Sequence, residues 1–332
     1  MLNTHLALLV CFFLSLFSSS LSISSSYEYR NVTLPDVTLS VLFAGNTSQN
    51  ADLILFLHGF PEGSWSWHGV LDTQLLDSYQ LVAPDQRGYN RSSQVSGEGA
   101  YAIDALAGDM IALLATITCT ACNVHLVAHD WGGVVAWWLA ASYPQRFNSL
   151  TILNDAHPLG WISEIRTNPI QQADSEYVLF FVNPASTFIM IADNFAALKN
   201  IFSGEEFWTP DEEAAYVDSW AVSGSVDSAL NWYRDNVFPH CPLNCTVAAC
   251  WQQGAASTFD AMPANGIISI DTLILWGMKD SAFDNEGQLT YIQGKVTGTL
   301  NITRFPDNSH WIAQESPFEV ARAIAGFISR HL

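Results

Sequence analysis

The chain has 332 residues, 49% of them hydrophobic, enough to bury a sizeable core in one large domain with an insertion or in two domains. It carries 12 Lys and Arg against 32 Asp and Glu, a formal charge of -20. A nucleic-acid backbone would be repelled over most of such a surface, and the apolar content excludes intrinsic disorder.

Residues 6–17 form an apolar run too short to span a bilayer, followed by a serine-rich stretch at 18–26. This is the pattern of a secretory leader over 1–26. Its basic region is reduced to His5, which leaves an uncleaved anchor open; once the leader is removed, no stable membrane span is expected. Sequons at Asn31, Asn46, Asn90, Asn244 and Asn301 fit a secreted or lumenal glycoprotein. Loss of the leader removes Cys11 and leaves Cys119, Cys122, Cys241, Cys245 and Cys250, an odd number for an oxidising compartment. Cys119 and Cys122 read as a local staple or core thiols. Cys241, Cys245 and Cys250, beside His240, read as a surface disulfide rather than a zinc site, because a second ligand pair is missing.

Residues 27–43 alternate apolar and polar side chains around Pro35, which predicts an opening antiparallel pair of strands. Continuous apolar runs at 53–57, 81–83, 124–128, 150–153, 273–276 and 302–305 have the character of buried parallel strands. Helical spacing at 102–114, 132–142 and 318–328 separates several of them, so the expected class is α/β with a mostly parallel central sheet. The strand pattern stops between 158 and about 267, where the chain turns aromatic and helical. The expected organisation is a core of 27–157 and 268–332 with a helical lid inserted at 158–267.

The most informative stretch is Val124-His125-Leu126-Val127-Ala128-His129-Asp130-Trp131-Gly132-Gly133. An apolar run meets one acidic side chain, then two glycines and a small-residue helix, which is the strand, sharp turn and helix of a nucleophile elbow. A serine at such an apex forms acyl-enzymes; an aspartate displaces a leaving group at saturated carbon and becomes an alkyl ester. The loop after strand 53–57, His58-Gly59-Phe60-Pro61, can place the Phe60 N-H beside that of Trp131 as an oxyanion hole. His58 itself reads as a loop histidine bonded to backbone. Asp280 follows strand 273–276 and His310 follows strand 302–305. The chain order Asp130, Asp280, His310 is nucleophile, acid, histidine.

These pieces, HGFPEGSWSW at 58–67, DQRGYNRSS at 85–93, VAHDWGG at 127–133, WGMKD at 276–280 and SHW at 309–311, resemble the soluble epoxide hydrolase group of the α/β-hydrolases from roughly residue 28 to the end. The resemblance implies a nucleophile at Asp130, its charge partner at Asp280 and a general base at His310. EYVLFF at 176–181 and LNWYR at 230–234 are similar to the two lid segments whose tyrosines, here Tyr177 and Tyr233, donate hydrogen bonds to the epoxide oxygen. Two phenols stabilise a developing alkoxide without a metal, so no cofactor is needed, and the expected partners are a small apolar epoxide and water.

Two features depart from the group. Asn90 stands where the RGYG-type loop carries glycine, and the spacing of Tyr177 and Tyr233 is shorter than in many relatives. Two other functions share the pattern. A dehalogenase would use the same aspartate with indole N-H groups, from Trp161, Trp208, Trp220 or Trp232, around a halide. A non-catalytic receptor would keep the pocket for a small apolar ligand.

Overall fold

The computed structural model describes residues 27–117, 122–237, 246, 249 and 257–331. The leader, Cys119, His240, Cys241, Cys245, Cys250 and the Asn244 sequon lie outside them. Eight strands form one sheet in the order β1-β2-β4-β3-β5-β6-β7-β8. These are β1 (Glu28–Thr33), β2 (Thr38–Gly45), β3 (Leu53–Leu57), β4 (Gln80–Pro84), β5 (Val124–His129), β6 (Ser149–Leu153), β7 (Thr272–Gly277) and β8 (Leu300–Phe305). β1 and β2 pair antiparallel, β2 joins β4 antiparallel, and the remaining pairs are parallel.

Sequence character explains the order. β3, β5, β6 and β7 are buried at every position, which only strands covered on both faces tolerate. β1 is exposed at nearly every position and carries Glu28 and Arg30, charges that discourage pairing at an open edge.

Helices cover both faces, giving three layers. On one side lie α2 (Ile103–Ile117) and α3 (Trp131–Ser142), on the other α1 (His68–Leu71) and α12 (Pro317–Ile328). α12 buries Val320, Ala321, Ile324, Phe327 and Ile328, the stripe that 3.6-residue periodicity produces. α3 buries almost its whole circumference, Trp137 and Trp138 included, because it lies between the sheet, α2 and the turn at Pro263–Gly266. Two further helices, α10 (Asn285–Gln293) and the short α11 (Ile312–Glu315), flank β8.

Between β6 and β7 the chain runs through α4 (Pro158–Thr167), α5 (Pro169–Asp174), α6 (Tyr177–Val182), α7 (Ser186–Ile201), α8 (Pro210–Trp220) and α9 (Ser225–Asn236). α9 is fastened to the rest by specific bonds. Asp235 and Asn236 accept the N-H groups of Tyr101 and Ile103, each at 2.8 Å, so α9 caps the start of α2, whose first donors have no partner within their own helix. Trp232 is fully buried, and its indole donates to the Arg87 carbonyl at 3.0 Å.

The Arg87 guanidinium in turn makes a two-point pair with Asp109, 2.7 Å at Nε and at Nη2, and also donates to the Ala100 carbonyl. Both partners are more than nine-tenths buried. Removing one member of a buried pair leaves an uncompensated charge, so Asp109→Ala is expected to destabilise the protein by about 3–5 kcal/mol in urea unfolding. A loss under about 1 kcal/mol would show that Arg87 finds solvent or another acceptor.

Candidate active site

The parallel registers bring the carboxyl ends of β3, β5, β6 and β7 to one edge of the sheet, where α/β sheets open a crevice. Asp130, between β5 and α3, has φ 48° and ψ -128°. A non-glycine residue there stores roughly 1–3 kcal/mol of strain, held only because its surroundings fix it. β5 is paired on both sides, and the Val134 N-H closes onto the Asp130 carbonyl at 3.1 Å. Gly59 completes the clamp. A Cβ there would sit 2.3 Å from both Cβ and Oδ1 of Asp130, so only glycine lets the β3 loop come this close.

That approach delivers the Phe60 N-H to Asp130 Oδ1 at 2.7 Å. Trp131 heads α3, which makes its N-H one of the unpaired donors of the first turn. The other carboxylate oxygen, Oδ2, lies 3.6 Å from His310 Nε2. Good hydrogen bonds are shorter, so Oδ2 keeps a lone pair free. His310 Nδ1 donates to Asp280 Oδ2 at 2.8 Å. Asp280 is held by the Ala282 N-H on Oδ1 at 2.8 Å and by the Asn154 amide on Oδ2 at 2.7 Å. Asn154 is itself fixed by the Gly277 N-H at 2.7 Å.

Charge follows from this arrangement. Burial disfavours the imidazolium of His310, but Asp280 and Asp130 outweigh it and raise its pKa well above the ordinary histidine value. Burial likewise penalises the Asp130 carboxylate, and His310, with help from His129 and the Phe60 N-H, still lowers its pKa below the ordinary one. Both shifts favour the charged pair of Asp130 carboxylate and His310 imidazolium.

Tyr177, at the start of α6, and Tyr233, in α9, both line the cavities that contain Asp130. Tyr233 is buried and packs edge-on against Trp131 and Phe60, with ring centres 5.0 and 5.4 Å apart. Tyr177 is 37% exposed. Burial first, and then the Asp130 charge, push both phenols above their usual range, so they stay protonated donors. Two chambers meet at Asp130, Tyr177 and Tyr233. One, of about 240 Å³, contains Phe60, Phe181, His310 and Trp311; a narrower one of about 50 Å³ contains Val134, Asp155, Trp161 and Phe259.

Sequence reasoning missed a buried network behind this site. His129 Nε2 donates to the His310 carbonyl at 3.0 Å, and its Nδ1 pairs with Glu62 at 3.0 Å. Glu62 also accepts from Tyr216 of α8 at 3.1 Å and from Gln314. One carboxylate thus joins the β3 loop, the residue before Asp130, the His310 loop and a helix of the 158–267 segment. The signal was an acidic residue inside the apolar HGFPE stretch. His58 donates from Nδ1 to the Gly59 carbonyl at 2.9 Å and accepts the Gln86 N-H at Nε2, a neutral brace for the loop. Among the described residues, no group of three or more His, Cys, Asp or Glu side chains is placed to hold a metal ion.

A family model described as the alpha/beta hydrolase fold matches residues 52–189. Epoxide hydrolase 1 of Caenorhabditis elegans is 30% identical over 319 residues, covering 93% of this chain and 72% of that protein. Epoxide hydrolase 4 of Mus musculus is 29% identical over 308 residues, with coverages of 90% and 78%. The crystal structure of a Bacillus megaterium epoxide hydrolase bound to an inhibitor superposes with a TM-score of 0.78 at 30% identity, covering 90% of this chain and 100% of that one.

The close approach of Gly59 gives a direct test of the clamp. Gly59→Ala should push the Asp130 carboxylate off line and lower kcat/KM about a hundredfold, with an unchanged circular dichroism spectrum. Wild-type rates in a folded variant would mean that the loop yields without moving the carboxylate.

Proposed function

This chain belongs to the epoxide hydrolase group of the α/β-hydrolase superfamily, and we propose that it opens its epoxide to a vicinal diol with Asp130 as nucleophile, His310 as base, and Tyr177 and Tyr233 as donors to the ring oxygen. The observation that carries these assignments is the division of labour on one carboxylate. Oδ1 is held by the Phe60 N-H, while Oδ2 faces the cavity near His310.

In the first step Oδ2 attacks a ring carbon, the C-O bond breaks, and its electron pair goes to an oxygen that Tyr177 and Tyr233 stabilise and protonate. The product is a hydroxyalkyl ester of Asp130. In the second step His310 Nε2 takes a proton from water, the hydroxide adds to Cγ of Asp130, and Oδ1 becomes the oxyanion against the Phe60 and Trp131 N-H groups. Esterification removes one of the two charges that hold His310 protonated, so its pKa falls and its proton passes on to replace the one a tyrosine gave up, which leaves the imidazole free to act as base. Collapse breaks the ester C-O bond, His310 returns its proton to the departing alkoxide to give the diol, and the new Asp130 carboxyl reprotonates His310, restoring the resting pair. Residues 158–267 act as the lid that brings both tyrosines over the sheet edge.

The dehalogenase reading loses three of its four candidate donors. The indole N-H groups of Trp161, Trp220 and Trp232 go to Ser175 Oγ, the Pro61 carbonyl and the Arg87 carbonyl, at 3.1, 2.6 and 3.0 Å. Trp208 stacks on Phe202. The aromatic lining of both chambers supports a small, uncharged substrate. The leader, the sequons and the acidic surface support secretion, and no single helix among the described residues is long and apolar enough to cross a membrane.

With styrene oxide, His310→Gln should accumulate an Asp130 peptide heavier by one substrate in mass spectrometry. Steady diol formation without that species would assign the base elsewhere. In the wild type, ester breakdown followed by stopped-flow tryptophan fluorescence should speed up as pH rises and level off above the pKa of His310 in the ester. The alkylation rate should stay flat down to about pH 4, since the Asp130 pKa is lowered; an acidic limb on alkylation near neutrality would contradict the assignment.

Glycan occupancy should be uneven. Asn90 has φ 45°, donates its side-chain amide to Asp85 at 2.9 Å and its backbone N-H to Ser225 in α9, so a sugar would displace Asp85. Peptide mapping of the secreted protein should find Asn31, on the exposed edge strand, modified and Asn90 bare. A glycan on Asn90 would refute this.

A further inference from the structure

The deep chamber contains a carboxyl group for which the reaction described above has no use. Asp155 directly follows Asn154, whose φ of 39° turns the chain at the end of β6. The residue is 4% exposed, lines the chamber with Asp130, and leaves its Oδ2 buried with no hydrogen-bond partner. The fold makes room for it, since a Cβ on Gly133 would meet Oδ2 at 2.5 Å. α3 has to present a bare backbone at that point for the carboxyl to fit.

A role as a second acid for His310 does not fit, because Asp280 already occupies Nδ1 at 2.8 Å. A buried polar atom without a partner costs about 1–3 kcal/mol, and a packing residue would avoid that loss. Burial, followed by the repulsion of Asp130, pushes the Asp155 pKa well above the ordinary carboxylate value; His310 opposes this, Asp280 adds to it, and the Ala156 N-H favours the charged form. No lysine, arginine or histidine lines the chamber among the described residues. A carboxyl that keeps its proton can donate and accept at once. Its complement is a hydroxyl, which does the same.

We propose that Asp155 is a specificity residue that receives an uncharged hydroxyl carried on the epoxide's limb, and that the natural substrate is a hydroxylated rather than a purely hydrocarbon epoxide. The proposal rests on the epoxide hydrolase reading and deepens it. The chamber, about 50 Å³ and lined by both Asp130 and Asp155, admits only a short limb. A limb carboxylate would face the charge of Asp130 at close range, and a limb ammonium would require Asp155 to ionise.

The test compares four epoxides on the purified full chain: 1,2-epoxypentane, 4,5-epoxypentan-1-ol, 4,5-epoxypentanoate and glycidyltrimethylammonium. The wild type should favour the alcohol over the alkane by at least about tenfold in kcat/KM, mostly through KM, since an alkane limb leaves Asp155 unpaired. In Asp155→Leu that ratio should fall to one or below, and in Asp155→Asn, which keeps a donor and an acceptor, it should stay above one. A wild-type ratio of one would overturn the proposal, as would an Asp155→Leu ratio equal to the wild type or a preference for the ammonium or carboxylate epoxide. If neither variant folds, the wild-type ratio decides alone. Failure of the wild type to turn over any of the four would instead count against the epoxide hydrolase reading.

Discussion

The molecule is built around a carboxylate that the backbone would not place there unaided. Asp130 adopts a positive φ at a strand-helix apex, and three separate contacts keep it so: the paired strand β5 behind it, the bare Gly59 beside it, and the Phe60 N-H on one of its oxygens. This asymmetric grip creates the chemistry. In the proposed reaction one oxygen, bound by the Phe60 N-H, becomes the oxyanion, and the other, 3.6 Å from His310, attacks. Had both oxygens been hydrogen-bonded, the group would be a stable structural carboxylate with little tendency to attack an ether carbon.

His310 depends on the same carboxylate. Its proton is held by two anions, Asp280 permanently and Asp130 only until the ester forms. In the proposed mechanism the first step thereby adjusts the base for the second. The Glu62 and His129 network keeps the geometry still during that exchange, because it ties the His310 carbonyl, the residue before Asp130 and Tyr216 of α8 to one buried carboxyl. Asp155 lines the smaller chamber together with Asp130.

Much of this is legible in the sequence because it is local. The six apolar runs correspond to β3 to β8, each within about two residues of its ends, and the apex at Asp130 lies within a single motif. Asp280 and His310 each follow a strand directly, so their positions follow from the strand reading. What was not legible depends on contacts distant in sequence. Glu62 and His129 are 67 residues apart, and neither motif names the other. Asp155 looks like an ordinary turn residue until the chamber and the missing partner of its Oδ2 are visible. The helix α10 was also missed, since its short mixed sequence Asn285 to Gln293 shows no strong apolar stripe. The tryptophans of 158–267 could have been halide donors by composition, and only their bonds to Ser175, Pro61 and Arg87 take them out of that role.

Whether Asp130 becomes covalently attached to substrate is most directly read in heavy-oxygen water. With enzyme in excess over styrene oxide, a single turnover in H₂¹⁸O should leave the label in the peptide containing Asp130 and release a diol free of it. Label in the first diol, with an unlabelled Asp130 peptide, would mean that water attacks the ring directly and that the carboxylate is no nucleophile.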